Sequence, residues 1–140
     1  MTDTITTVRI VRLPHAVGLP MPAYQERLGL KLLAAVPDDD PTTIGPCERR
    51  LIPTGLVAVT PAGLEVQIRS SPLLAAGYGV VAVSPGVMED YHGEIAVLLF
   101  NLNLRPFVVN RGDPIGWAVI SPVVRANLVE VEVAQLEAVD

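Results

Sequence analysis

The sequence predicts an all-β domain, a sandwich, barrel or jelly roll, on three observations. Thirteen prolines and eleven glycines interrupt a 140-residue chain every few positions. Between them lie short runs rich in Val, Ile and Leu, and runs of this kind spaced by about 8–12 residues and bounded by turn residues read as strands of a closed or double-layered sheet. No stretch sustains a helical period over ten or more residues, so nothing competes with the strand reading.

Taken in order, the runs are 8–13, 28–36, 49–59, 64–69, 79–83, 94–101, 106–109 and 115–120. The runs are rich in Val, Ile and Leu and are separated by turn residues. The segment 70–78, SSPLLAAGY, is the best candidate for a helical turn. The acidic cluster at 38–41, DDDP, reads as a solvated loop. Val123 to Val133 alternates like a strand that would pair with a neighbour, since an open strand edge has to be covered. At this length one domain is expected, residues 1–140, with 1–7 as a flexible or contact arm and 134–140 as a tail.

Composition narrows the function classes. The net charge is −5 with pI about 4.9, and the basic residues are scattered. Both argue against nucleic acid as a partner, because that affinity comes from clustered Lys and Arg displacing counterions. No apolar run approaches the ~20 residues a membrane span requires, and Met1 to Arg12 lacks the pattern of a signal peptide. The lone Cys47 excludes an internal disulfide and gives no metal-ligand spacing. Half the residues are hydrophobic and mean hydropathy is +0.44, which suggests surface buried between subunits.

Four segments carry a specific resemblance. VRIVRLPHAVGLPMPAYQ (8–25), LIPTGLVAVTPAGLEVQIR (51–69), SPGVMEDYHGEIAVLLFNL (84–102) and PFVVNRGDPIGWAVISPV (106–123) together resemble the trimeric dUTPases, bacterial members above all. The resemblance implies an all-β, dUTPase-like jelly roll or distorted β-barrel, assembled as a homotrimer with sites between subunits. In active members it implies five motifs that hold a Mg²⁺–nucleotide triphosphate, an aspartate that activates water, and a mobile C-terminal arm.

Against that pattern the motif letters depart. Where the first motif has its aspartate, this chain has Lys31, the opposite charge from the oxygen ligands that Mg²⁺ favours. Where the second has arginine, serine and glycine, the chain has Ser71, Pro72 and Leu73, and proline brings no donor at all. In the third, the catalytic aspartate is deleted or replaced by Glu89, beside Asp90, while Tyr91 is kept and Val83 stands for a uracil-reading asparagine. In the fourth, Pro114 replaces arginine and Trp117 replaces glutamine, filling volume a triphosphate would need. The glycine-rich fifth motif has no counterpart, since no glycine follows Gly116.

These departures predict a catalytically inactive homotrimer, with Lys31, Ser71, Pro72, Val83, Glu89, Asp90, Tyr91, Pro114 and Trp117 as a vestigial pocket. No cofactor and no metal are expected. Tyr91 and Trp117 are expected at the subunit interface, His92 on the surface, and Glu89, Asp90 and Glu94 at a solvated hairpin tip. The expected role is a structural trimer docked on a larger assembly, with phage capsid decoration, on the virion surface, as the specific form. The alternatives are a cytoplasmic regulator of a protein partner and a residual nucleotide binder or diverged triphosphate pyrophosphatase.

Overall fold

The computed structural model describes residues 6–25, 28–83 and 93–137. The strands are β1 (Arg9–Arg12), β2 (Tyr24–Gln25), β3 (Gly29–Leu33), β4 (Thr42–Ile44), β5 (Arg49–Val59), β6 (Leu64–Arg69), β7 (Val80–Val83), β8 (Glu94–Asn101), β9 (Phe107–Val109) and β10 (Pro114–Pro122). Two short helices accompany them, α1 (Pro72–Tyr78) and α2 (Val133–Glu137). Helix α1 and most strands form where the sequence places them; the two-residue β2 and three-residue β4 are too short to leave a periodic trace.

Two four-stranded sheets, ordered β1-β5-β8-β7 and β2-β3-β10-β6, and a β4-β9 pair make up the fold, and every pairing is antiparallel. Strand β8 alternates strictly, with Ile95, Val97, Leu99 and Asn101 turned inward. The first three join Leu32, Val66, Ile68 and Ala118 from the other sheet, and Ile44 and Val109 from the small pair, in one apolar core. The acidic cluster at 38–41 is exposed, as expected of a solvated loop.

The PTG segment is a bulge in β5, where pairing with β8 shifts register between Pro53 and Val57. Thr54 Oγ1 donates to the Ile95 carbonyl at 2.5 Å, and Gly55 N–H donates to Glu94 Oε2 at 3.1 Å. Gly55 sits at φ +68°, and a Cβ there would lie 2.3 Å from the Ala16 Cβ, so only glycine fits. Glu94 also bonds His15 Nε2 at 3.0 Å. Glu94 is therefore an anchor of the bulge rather than part of a solvated acidic tip, a correction to the sequence expectation; Glu89, Asp90, Tyr91 and His92 lie outside the described residues.

Residues 123–132 form no strand within this chain, and α2 follows. A strand is completed only by a neighbour's backbone, and among the described residues no strand pairs with it, although Val123 N–H donates to the Gly63 carbonyl at 2.8 Å; the segment stays exposed, Leu128 at 95%.

Asn101 is fully buried at the end of β8. Its Nδ2 donates to the Ile44 and Arg105 carbonyls at 2.9 and 2.7 Å, and its Oδ1 accepts from Asn103 N–H at 2.9 Å. This amide joins β8 to β4 and to the turn that leads into β9. Asn101→Leu strands all three partners, at about 1 kcal/mol each. A drop of about 3 kcal/mol in unfolding free energy by urea titration is the expected outcome; a loss under about 1 kcal/mol would mean that the amide does not hold the turn.

Candidate functional site

The candidate residues gather where β6 ends beside β10 and β3. Trp117 on β10 pairs with Lys31 on β3 and, across its other edge, with Arg69 on β6. Directly opposed residues of antiparallel strands share a face, so these three side chains stand in one row. The next pairs on that face are Val119 with Gln67 and Ser121 with Glu65. The opposite face, with Leu32, Ala118, Val66 and Ile68, belongs to the core.

Trp117 is only 7% exposed within the single chain. It is thus packed already by its own strands, which corrects the expectation that it waits for a subunit interface. Lys31 Nζ lies 6.0 Å from the centre of its ring, a cation–π distance. The indole Nε1–H is buried with no hydrogen-bond partner among the described residues. The magnitudes decide why the indole is still buried. Removing about 200 Å² of indole from water contributes about 5 kcal/mol, against about 1–3 kcal/mol for an unanswered N–H.

Ser70, Ser71 and Pro72 follow Arg69. Ser70 Oγ donates to the Ala82 carbonyl at 3.0 Å and accepts from Ala82 N–H at 2.8 Å, tying the end of β6 to β7. Val83, exposed at the end of β7, follows that tie directly. Ser71 is the N-cap of α1, its Oγ accepting from Leu74 N–H at 3.4 Å, and Pro72 fills the first helical turn. Gly79, at φ +67°, closes the same helix in the left-handed region. Ser71 and Pro72, two of the changed letters of the second motif, therefore build the start of a helix.

Pro114 opens β10 opposite Leu33, with a bulge before Gly116. It is separated from the Trp117 row and lines an open apolar hollow of about 450 Å³ with Leu73, Leu74, Tyr78, Phe107 and Val108. Sequence reasoning missed this hollow, because its walls come from α1, β9 and β10 and no local pattern joins them. It also missed Arg111, whose guanidinium donates to the His15, Val17 and Val36 carbonyls at 2.7, 2.8 and 3.3 Å. With Arg12, which donates to Ala16 and Leu19 carbonyls, Arg111 holds the loop after β1.

The orphaned indole gives a direct test. Trp117→Phe keeps the aromatic packing and removes the buried donor. The expected result is an apo protein at least as stable as the parent, gaining up to about 1–3 kcal/mol, measured by thermal and urea unfolding. A destabilised variant would show that the N–H has a partner in the folded protein.

A family model described as dUTPase matches residues 16–140. The chain is 46% identical over 130 residues, 90% of this chain and 81% of the relative, to the deoxyuridine 5'-triphosphate nucleotidohydrolase of Methylocella silvestris. Among solved structures it resembles a dUTPase from phage phi11 of S. aureus, with TM-score 0.74, 18% identity and coverage of 91% of this chain and 97% of that one. It also resembles the dUTPase of Staphylococcus bacteriophage 80alpha, with TM-score 0.75, 17% identity and coverage of 91% and 89%. At those identities the structural likeness concerns the fold.

The 46% identity to a named nucleotidohydrolase overturns the expectation of an inactive trimer recruited as a capsid decoration or other structural protein. That expectation treated every changed motif letter as a lost function. Identity sustained over most of the chain, with Ser71 and Pro72 turned to local helix chemistry, instead aligns this protein with enzymes. The chain belongs to the dUTPase family.

Proposed function

We propose that this chain hydrolyses dUTP to dUMP and pyrophosphate and that it works as a homotrimer. The observation that carries the reading is the 46% identity, over 90% of the chain, to an enzyme named for dUTP hydrolysis. In such a reaction water attacks a phosphorus of the triphosphate, the bridging P–O bond breaks, and pyrophosphate leaves with the bond's electron pair. The water's proton passes to a base.

Family resemblance implies Mg²⁺ with the nucleotide. The described residues do not fit a divalent ion held by the protein. Lys31, Trp117 and Arg69 offer donors and no acceptors, and among the described residues no group of three or more His, Cys, Asp or Glu comes together. The chain's own groups therefore supply what can be assigned. Lys31 and Arg69 present positive charge to phosphate oxygens from either side of Trp117. Of the carboxylates near the motifs, Glu94 is engaged by Gly55 and His15 and Asp113 by Asn110 N–H. Glu89 is the remaining candidate base from the third motif, with Asp90 beside it.

Assembly is supported by the tail. Val124, Leu128 and Val129 are 80%, 95% and 77% exposed on a segment that pairs with no strand among the described residues. Apolar side chains and an unpaired backbone on one segment are both satisfied when it adds to the sheet of another copy.

Two measurements test these readings. Purified protein with dUTP and Mg²⁺ should release pyrophosphate well above the buffer rate, and Glu89→Gln should slow release by about 10²-fold or more; a parent rate equal to buffer would sink the enzyme reading. By light scattering after size exclusion, the 14.9 kDa chain should run at about three times its mass. Truncation after Pro122 should yield monomer, and a truncated protein that still runs as a trimer would show that the tail does not hold the assembly.

A further inference from the structure

The row formed by Lys31, Trp117 and Arg69 has a chemistry of its own. Its polar atoms are all donors: three N–H on the lysine, one on the indole and five on the guanidinium. Neither cation has a carboxylate in ion-pair range among the described residues, where the ion pairs are His15–Glu94 and Arg50–Glu48. The next acid on the same face, Glu65, lies four residues back along β6 and accepts from Gln67 Nε2 at 2.7 Å. The indole N–H is a third, independent sign, an enclosed donor that no described residue answers.

Two positive charges and an unanswered N–H, with no acceptor among them, repel a free divalent cation and suit a ligand made of acceptors. Phosphate oxygens are such a ligand. Lysine's flexible stem lets Nζ, now 6.0 Å from the ring centre, swing to meet an anion.

Resting on the dUTPase reading, we propose that this row receives the nucleotide's phosphates and supplies, from the chain itself, the positive charge for which other nucleotide sites use a metal ion. Binding of the nucleotide then does not require Mg²⁺. Lys31 is the principal contact, Arg69 flanks it, and Trp117 donates its Nε1–H to a phosphate oxygen.

The test is calorimetric titration of the intact protein with a non-hydrolysable imido analogue of dUTP, once in EDTA and once in excess Mg²⁺. The parent protein should bind in EDTA with an affinity within a few-fold of that in Mg²⁺. In EDTA, Lys31→Met should weaken binding by about tenfold or more, and Trp117→Phe by about fivefold, from the loss of one charge-assisted and one neutral hydrogen bond. Circular dichroism confirms that both variants fold. A structural role for Trp117 would not lower affinity while leaving apo stability intact. Binding only in Mg²⁺ overturns the metal-free proposal and leaves the dUTPase reading standing. Undiminished binding by Lys31→Met in EDTA overturns the placement of phosphate on this row. No binding in either buffer removes the dUTPase reading and this inference with it.

Discussion

Strand β10 is hydrogen-bonded along both edges, to β3 over Pro114–Ala118 and to β6 over Trp117–Pro122. The two ladders overlap at Trp117 and Ala118, so register there is fixed from two sides at once. A slip of one residue would turn every side chain of β10 to the other face, driving the indole into the space that Ala118, 2% exposed, occupies in the core. That space takes a methyl group and would not take an indole. The small residue in the core thus holds the large one on the outer face, and with it the placement of Lys31 and Arg69 on either side. The end of β6, the Ser70 tie to β7 and the start of α1 are all positioned from this strand.

Much of this was legible in the sequence for a physical reason. Runs such as 49–59, 64–69 and 94–101 alternate or are β-branched and end at turn residues, so local chemistry alone marks them, and they appear as β5, β6 and β8 with those bounds. Sheet order was not legible, because nothing in one strand names its neighbour. Burial of Trp117 was not legible for the same reason, since it depends on Lys31 and Arg69 arriving from strands far away in the chain. The tail shows the reverse limit. Its alternation is a strand pattern, but a strand is a relation between two backbones, and among the described residues no second strand pairs with it.

The site was legible as a place and not as a chemistry. Comparing letters one at a time located Lys31, Ser71, Pro72, Pro114 and Trp117, and the fold does bring the first three and Trp117 to one region. What the comparison lacked was context for each change. Proline at position 72 is a lost donor when read alone, yet after Ser71 it is the first residue of a capped helix. Lysine at position 31 is a lost ligand when read against a metal, yet beside Trp117 and Arg69 it completes a set of donors. An active site is defined by the charge and hydrogen-bonding groups that converge on a volume, and different residues can present the same field there. Reversing one charge makes that volume poor for a cation and, by the same Coulombic argument, better for the phosphate that a cation would have neutralised. Lysine at position 31, which reads as a lost metal ligand, is therefore also the residue that adds a second positive charge to the row beside Trp117 and Arg69.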